Sequence, residues 1–401
     1  MNKPLIRFEG FSEEWKQREL GELYSIYSGQ TPFRGDIENF SNPTTAWIKT
    51  TDLNNATITS NEENISDRAK EKLKTLPMGT VLVAMYGGFN QIGRTGLLSY
   101  PAAINQAISA LPPVNGIDSY FLMTELNHRV SEWKIVAASS RKDPNITKND
   151  VMKFKLLYPS IEEQRKIGDF IRTLDATIAT FIKEHEKTKS FKKAMLEAMF
   201  PKSGSKIPEI RFEGFDEEWE EKKLWAITDS FSGGTPSVNN DEYYNGRIPF
   251  IRSAEINFKE TELFITESAI NNSSAKLVNE GDILYALYGA TSGEVGISQI
   301  NGAINQAILA LKPKCGYDSY FISQWLEKQK QTIVSTYLQG GQGNLSGFIV
   351  KNLIISLPKN KDEQIAIGNF FKTLDETISL QKKQIEQLQN VKKSLLEKMF
   401  V

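Results

Sequence analysis

The most regular hydrophobic pattern in the chain lies in residues 361–401. Apolar residues recur there in alternating steps of four and three, and only Gln381 and Lys392 are polar. The series is Ile367, Phe371, Leu374, Ile378, Gln381, Ile385, Leu388, Lys392, Leu395 and Met399. This spacing is typical of the heptad seam of a coiled coil. We therefore predict one long helix over residues 359–401.

Residues 161–200 carry the same pattern with a more polar centre. The series is Ile167, Ile171, Leu174, Ile178, Phe181, His185, Thr188, Lys192, Met195 and Met199. We predict a helix over residues 159–201, about 60 Å long at ~1.5 Å per residue, and a loop after it at residues 200–206. A helix of this length needs a partner. If the two halves of the chain are related by a pseudo-two-fold axis, the two helices are antiparallel and pack on each other.

The remaining segments have a different hydrophobic pattern. Short apolar runs bounded by glycine, as in 80–85 and 282–287, indicate buried strands, whereas 120–131 and 320–332 look helical. The predicted class is therefore α+β: two similar globular domains separated by two antiparallel helices that form a coiled-coil strut. The predicted limits are 1–158 for domain 1, 159–201 for the first helix, 202–358 for domain 2, and 359–401 for the second helix.

The two domains are predicted to be similar because the chain contains a tandem repeat. The offset between matched blocks falls from 204 to 200 along the chain, so the second copy is four residues shorter. The matched pairs include 4–15 with 208–219, 28–32 with 232–236, 47–50 with 250–253, 86–88 with 288–290, 103–108 with 303–308, and 118–121 with 318–321. Between these blocks the copies diverge, which predicts a shared framework carrying different loops.

Composition excludes several classes of protein. The 401 residues are 40% hydrophobic, and we find no apolar run approaching the ~20 residues of a membrane span. The N-terminus lacks the pattern of a secretory signal, so a cytoplasmic location is expected. One cysteine, Cys315, and two histidines, His128 and His185, make an internal disulfide impossible and a metal site improbable.

Motifs for catalysis are missing as well. The sequence has no Gly-x-x-x-x-Gly-Lys-Ser/Thr phosphate loop and no polar-Pro-Pro-aromatic motif of an amino-methyltransferase. Adjacent acidic residues such as Glu13-Glu14 are typical of a solvated surface. We predict no catalytic residues, no metal and no cofactor in this chain.

Several turns carry side chains suited to nucleic acid. The Ser-Gly-x-Thr-Pro turns, the cations after two strand-like runs, and two divergent loops at equivalent positions offer amides, hydroxyls and positive charge for phosphates and base edges. The candidate DNA-binding residues are Gln30, Thr31, Lys49, Thr50, Arg141, Lys142, Asn145, Gly234, Thr235, Arg252, Ser253, Gln342 and Asn344. The same turns are equally compatible with a structural role, and the cations with ordinary surface charge. Asn105-Gln106 and Asn305-Gln306 are expected to be buried hydrogen-bonding groups of the framework.

Taken together and in the same order twice, these motifs resemble the specificity subunits of type I restriction–modification enzymes, the HsdS family. The similarity covers essentially the whole chain. It rests on the Ile-Arg-Phe-x-Gly-Phe openings, the Ser-Gly-x-Thr-Pro turns, the Ala-Ile-Asn-Gln-Ala blocks, the Glu-Gln segments at Glu163 and Glu363, and the paired helices.

The resemblance implies that each domain recognises one half of a bipartite site in double-stranded DNA. It also implies that the helices set the gap between half-sites and dock two methyltransferase subunits. Those partners would bring S-adenosylmethionine, and restriction–translocase subunits would use ATP and magnesium. The helix-seam residues in this scheme are Ile167, Ile171, Leu174, Ile178, Ile367, Phe371, Leu374, Ile378, Ile385 and Leu388.

The net charge of −1 opposes a stand-alone DNA binder, so weak binding is expected without partners. Two alternatives stay open from the residues. One is a stand-alone methyltransferase or nuclease with atypical motifs. The other is a coiled-coil scaffold that does not bind DNA.

Overall fold

A computed structural model describes residues 3–138, 144–202, 204–338 and 344–401. It divides into two compact units. Unit 1 comprises residues 1–181 and 384–401, and unit 2 comprises residues 182–383. The candidates Arg141, Lys142 and Gln342 lie outside the described residues.

Unit 1 contains ten strands among its described residues, together with five helices and parts of two long helices. The strands are β1 (Lys16–Glu19), β2 (Tyr27–Ser28), β3 (Thr45–Ile48), β4 (Ala56–Ile58), β5 (Asn64–Ile65), β6 (Val81–Ala84), β7 (Thr95–Leu98), β8 (Ala103–Ile104), β9 (Ile108–Leu111) and β10 (Lys155–Tyr158). The helices are α1 (Leu20–Leu23), α2 (Asp67–Lys70), α3 (Ser119–His128), α4 (Val130–Ala138), α5 (Lys148–Lys153) and α6 (Ile161–Ala198).

Unit 2 has a similar order of elements. Its strands are β11 (Glu220–Lys223), β12 (Thr228–Ser232), β13 (Tyr244–Ile251), β14 (Phe264–Ile265), β15 (Lys276–Val278), β16 (Ile283–Ala286), β17 (Val295–Ile297), β18 (Gly302–Ile304), β19 (Ile308–Pro313) and β20 (Ile354–Leu357). Its helices are α7 (Leu224–Ile227), α8 (Glu267–Asn271), α9 (Ser319–Tyr337), α10 (Gly347–Asn352) and the first half of α11 (Lys361–Met399).

The two domains share most of their sheet topology. In unit 1 the sheets have the orders β2-β9-β6-β7-β4, β5-β3-β8 and β1-β10, and in unit 2 the orders are β12-β19-β16-β17, β14-β13-β18-β15 and β11-β20. The central pairs β6–β9 and β16–β19 are antiparallel, whereas β3–β8 and β13–β18 are parallel. The two copies therefore keep these pairings and their directions. They differ at the sheet edges: among the described residues the parallel pair β4–β7 occurs in unit 1 alone, and the pair β15–β18 corresponds to a single bridge between Leu76 and Ala102.

The central strand β6 separates two hydrophobic cores. Val81 and Val83 face a core built with α3 and α4, whereas Leu82 and Ala84 face a second core that includes Ile48 and Ile104. Both faces of β6 are buried, which explains why its sequence is a continuous apolar run rather than an alternating one. The predicted α+β class with an internal repeat is confirmed.

The long helices are antiparallel where they meet inside each unit. In unit 1, the carboxylate of Asp175 in α6 forms an ion pair with the ammonium of Lys392 in α11, with Nζ and Oδ1 2.5 Å apart. In unit 2, Lys192 of α6 pairs with Asp375 of α11 at 2.7 Å, and the amide of Gln381 donates to the hydroxyl of Thr188. All ten predicted seam residues are buried or half-buried. The predicted domain limits stay predictions.

Each domain is fastened to its own long helix by motifs that recur in the sequence. The guanidinium of Arg7 forms two hydrogen bonds with Glu163, at 2.8 and 2.6 Å, and Arg211 does the same with Glu363. Next to it, the amide oxygen of Gln164 accepts the backbone N–H of Asp118 at 2.9 Å. These contacts explain the recurring Arg and Glu-Gln positions as structural anchors.

Candidate nucleic-acid interface

In domain 1 the Ser-Gly-Gln-Thr-Pro turn rests on the Ala-Ile-Asn-Gln-Ala block. The backbone N–H of Gln30 donates to the carbonyl of Ile104 at 3.1 Å, and the hydroxyl of Thr31 donates to the amide oxygen of Gln106. A Cβ on Gly29 would lie 2.1 Å from the carbonyl oxygen of Ile104. Because no side chain fits there, glycine is required for this close approach.

The same block connects three further turns. The backbone N–H of Asn105 donates to the carbonyl of Ile48 at 3.0 Å, which places the turn at Lys49 beside it. Met85 at the end of β6 donates to the carbonyl of Ala107 at 2.7 Å and accepts from Ile146 at 3.1 Å. We call this cluster of turns edge 1, comprising residues 28–32, 48–50, 85–88, 104–107 and 145–146. Edge 1 gathers the candidates Gln30, Thr31, Lys49, Thr50 and Asn145.

Domain 2 has the equivalent cluster with the same hydrogen bonds. Gly234 donates to the carbonyl of Ile304 at 3.1 Å, the hydroxyl of Thr235 donates to the amide oxygen of Gln306, and Asn305 donates to Ile251 at 3.3 Å. Leu287 donates to the carbonyl of Ala307 at 2.8 Å and accepts from Leu345 at 2.9 Å. We call this cluster edge 2, comprising residues 232–236, 251–253, 287–289, 304–307 and 344–345. It gathers Gly234, Thr235, Arg252, Ser253 and Asn344.

The candidates differ in accessibility. Gln30, Thr31, Thr235 and Asn344 are exposed, and Lys49, Thr50, Asn145, Arg252 and Ser253 are half-buried. Gly234 is buried, and a Cβ there would meet the Ser274 hydroxyl at 1.9 Å. Gly234 is therefore packed into the domain and is not available for the DNA contact that the sequence predicted.

The cations of both edges already have acidic partners. The ammonium of Lys49 lies 2.9 Å from the carboxylate of Glu62 and 3.4 Å from that of Glu63. The hydrogen bond to Glu62 raises the pKa of Lys49, and the same bond lowers the pKa of Glu62. Glu63 also pairs with Arg34, whose hydrogen bond lowers the pKa of Glu63. Lys49 therefore carries a compensated charge.

Arg252 in edge 2 repeats this arrangement. Its guanidinium lies 2.8 Å from Glu255 and 2.5 Å from Glu262. Burial acts to raise the pKa of Glu255, but hydrogen bonds from the guanidinium of Arg252 and from two backbone N–H groups outweigh it and lower that pKa to about 2. A phosphate contact by Arg252 or Lys49 would therefore have to compete with carboxylates.

The glutamines at the centre of each edge differ from the sequence-based expectation. Asn105 does support its own turn, because its Oδ1 accepts the backbone N–H of Ala107 at 3.1 Å, and Asn305 does the same for Ala307. Gln106 and Gln306, however, are exposed and not buried. They lie in short turns rather than inside strands. The apolar residues on either side had indicated burial, and they do not distinguish a turn from a strand. Their recurrence at the same place in both copies was the available signal.

Nothing in the sequence indicated the exposed hairpin that follows β6, although its first residues, Tyr86-Gly87-Gly88, match residues 288–290 in the second copy. Residues 86–90 are all exposed. Over the described part of the chain, no group of three or more His, Cys, Asp and Glu residues could hold a metal ion. Within those same residues, no helix is long and apolar enough to cross a membrane.

Comparisons with known proteins agree with the repeat. The model of the type I restriction modification DNA specificity domain matches the chain twice, over residues 12–189 and 216–390. The type I restriction enzyme MjaIX specificity subunit of Methanocaldococcus jannaschii is 23% identical over 414 residues, covering 96% of this chain and 93% of that protein.

Solved structures show the same fold. The S subunit of a type I restriction–modification system from M. genitalium superposes with a TM-score of 0.69 at 16% identity, covering 100% of this chain and 99% of that one. A chain from a structure describing complex assembly and conformational transition of the type I system gives a TM-score of 0.54 at 17% identity, covering 96% of this chain and 97% of that one.

Neither alternative hypothesis, the stand-alone enzyme or the scaffold without DNA, is supported by these similarities. The two matched segments together span most of the sequence, so the chain belongs to the family of type I restriction modification DNA specificity proteins, as a non-catalytic subunit with two target recognition domains.

Proposed function

We propose that edge 1 and edge 2 are the surfaces that read DNA, each contacting one half of a bipartite site. One observation carries this proposal: both edges are built on the same hydrogen bonds around the Asn-Gln-Ala turn, whereas several side chains on them differ. Gln30 in edge 1 corresponds to the buried Gly234 in edge 2, and Lys49 corresponds to Arg252. A fixed backbone with variable donors and acceptors suits base readout in a groove.

The side chains available on each edge are those that discriminate bases. Gln30 and Asn145 can form paired hydrogen bonds with adenine, and Arg252 can do so with guanine. The hydroxyls of Thr31, which already contacts Gln106, and of Thr50 suit phosphate or base contacts. We assign direct readout first to the exposed side chains, since they reach a ligand without rearrangement.

Affinity is expected to depend on partners. The chain has 48 Lys and Arg residues against 49 Asp and Glu, and the edge cations are paired with glutamates. Phosphate contacts dominate the strength of DNA binding, so a chain with so little free positive charge is expected to bind weakly alone. Two methyltransferase subunits docked on α6 and α11 would supply further positive surface.

These partners would also supply the chemistry. In this proposal the methyltransferase subunits bind S-adenosylmethionine and methylate adenine, and restriction–translocase subunits use ATP and magnesium. Methylation requires the target base to leave the stack. The present chain positions the complex on its site, the length of α6 and α11 sets the gap between half-sites, and no cofactor binds to the chain itself. The complex would act in the cytoplasm, where the DNA lies.

An exchange of recognition domains tests the proposal. Residues 16–158 are replaced by the corresponding domain of another specificity subunit, and residues 220–357 are exchanged in a matched chimera. Each chimera is produced with its methyltransferase and restriction subunits, and methylome sequencing reports the modified sites. We expect each exchange to change one half-site and leave the other intact.

Three outcomes would contradict the proposal. The first is a change of both half-sites by a single exchange. The second is methylation or cleavage by the purified chain without partners, as the stand-alone enzyme alternative requires. The third is an assembled complex with no sequence preference, as the scaffold alternative requires.

A further inference from the structure

The hairpin between β6 and β7 is longer in domain 1 than its counterpart in domain 2. Eleven residues separate Val83 from its strand partner Thr95, whereas nine separate Tyr285 from its partner Val295. The longer hairpin has Phe89-Asn90 at its tip, and the shorter one has only small residues, Gly289 to Gly293. Half of the four-residue difference between the two copies is thus located in this hairpin.

The base of the longer hairpin has a defined conformation. Gly93 donates to the carbonyl of Ala84 at 3.0 Å, and Gln91 donates to the carbonyl of Gly88 at 2.9 Å. Gly87 and Gly88 have φ values of 115° and 89°, which side-chain-bearing residues rarely adopt. A Cβ on Gly93 would meet the indole of Trp133 at 2.7 Å. The hairpin therefore holds its tip on a packed base.

The tip carries an exposed aromatic ring and has positive charge nearby. The side chain of Phe89 is 46% exposed, and the ammonium of Lys134 lies 5.4 Å from the centre of its ring. The guanidinium of Arg94 donates to the carbonyl of Asn90 at 3.1 Å. Residues 86–94 contain no Asp or Glu. An exposed aromatic ring beside a cation suits a polyanion that has stacked aromatic bases.

The hairpin begins in edge 1, and its tip follows directly after the edge residues 85–88. Met85, directly before the hairpin, makes the backbone hydrogen bonds to Ala107 and Ile146 described above. A Cβ on Gly87 would lie 3.5 Å from the hydroxyl oxygen of Thr50, a candidate DNA-binding residue. Single exposed hydrophobic residues are common on proteins and carry no function by themselves. Phe89 is distinguished by its position, because it follows directly after the edge that holds the other candidates.

We propose that Phe89 is a specificity-determining residue of domain 1, acting as an aromatic wedge that stacks against a base and opens one base step within its half-site. Apolar side chains inserted between base steps partly unstack them, and steps differ in how easily they open. The wedge would favour deformable pyrimidine–purine steps. Lys134 and Arg94 would contact the neighbouring phosphates. This inference rests on the proposed function of edge 1, and domain 2 has no equivalent residue in its described hairpin.

The test uses the complete complex with its methyltransferase subunits and DNA carrying the site identified by methylome sequencing. 2-Aminopurine is placed singly at each step of the half-site read by domain 1, outside the target adenine. With the wild-type chain we expect increased fluorescence at one step. Phe89→Ala should abolish that increase and weaken binding by about five- to a hundredfold, and Phe89→Trp should preserve both.

Discrimination at the second half-site serves as the internal control. Mismatches there should cost the same in Phe89→Ala as in wild type, because domain 2 is unchanged. The variant Phe348→Ala removes a 76% exposed phenylalanine from domain 2 and should leave the fluorescence at the first half-site unchanged. Phe89 is exposed, so its replacement is not expected to impair folding, and an unchanged melting temperature verifies this.

The inference is overturned if Phe89→Ala binds within twofold of wild type with full discrimination at both half-sites. It is also overturned if wild type opens no base step, for example if affinity depends on a thymine methyl group instead. A wild-type complex without discrimination at either half-site would reject the proposed function itself.

Discussion

Phe400 directly follows α11 and completes the core of domain 1. Its side chain is 4% exposed, and its ring centre is 5.4 Å from that of Phe121 and 6.1 Å from that of Trp15. Phe200 occupies the equivalent place in unit 2, where it contacts Phe321 and Trp219 at 5.2 and 6.0 Å. Each domain thus depends on the end of a long helix whose first residues belong to the other unit.

Replacing Phe400 by alanine should destabilise unit 1 selectively. Truncation of a buried phenylalanine costs about 3–5 kcal/mol, and the aromatic neighbours contribute about 0.5–1.5 kcal/mol for each pair to that sum. At about 1.4 kcal/mol per factor of ten, the protection of core amides in α3 should fall by roughly a hundred- to a few-thousandfold. Amides of α9 in unit 2 should keep their protection. Hydrogen exchange with mass spectrometry resolves both helices in one experiment.

The matched variants decide whether this reasoning is correct. Phe200→Ala should produce the mirror-image result, with loss of protection in α9 and none in α3. Val391→Ala removes a half-exposed residue from α11 and should change stability by less than about 0.5 kcal/mol. A loss below 1 kcal/mol in Phe400→Ala, or equal deprotection of both units, would refute the assignment of Phe400 to the core of one domain.

Three further substitutions test the turn at Gly29, the ion pair between Arg7 and Glu163, and the raised pKa of Glu125. Gly29→Ala places a Cβ 2.1 Å from the carbonyl of Ile104, so we expect displacement of the turn and loss of discrimination at one half-site only, measured by methylation of mismatched DNA. Arg7→Ala leaves the buried carboxylate of Glu163 without its partner and should cost about 2–4 kcal/mol in urea denaturation, with unchanged stability taken as contradiction. Burial raises the pKa of Glu125 to about 7. The folded state therefore binds this proton more tightly than the unfolded state does, and protonated Glu125 adds to the free energy of unfolding. That addition is lost as pH rises from about 4.5 through 7. Between pH 5 and 8 the loss of unfolding free energy should be about 2.5 kcal/mol, and Glu125→Gln should remove that pH dependence. An identical pH profile in the variant would reject the assignment.

The architecture was predictable because it depends on hydrophobic spacing and on an internal repeat, both of which can be read from the sequence. A continuous apolar run bounded by glycine indicated β6 as a strand buried on both faces, and the four-three spacing indicated α6 and α11. The repeat then required two similar domains. The limits of individual strands were less accessible, since β2, β5 and β8 are two residues long and depend on pairing with distant partners.

The candidate site was predictable as a set of turns, but not as a surface with a given charge. Lys49 and Glu62 are thirteen positions apart, and Arg252 is ten from Glu262, so their ion pairs follow from loop geometry rather than from a local motif. The accessibility of Gln106 depended equally on tertiary structure.

The compensated cations and the duplicated framework together suggest how recognition and affinity are divided. Exchanging the Glu62 partner of Lys49 for a phosphate replaces one exposed ion pair with another, and such pairs contribute roughly 0–1 kcal/mol each, so the exchange adds little binding energy. The carboxylates do disfavour non-specific DNA binding. An edge that presents carboxylates beside its cations repels DNA until favourable base contacts offset the repulsion. On this reasoning the glutamates raise specificity at the expense of affinity. That is the balance expected if, as proposed, the edges select a sequence while partner subunits hold the duplex.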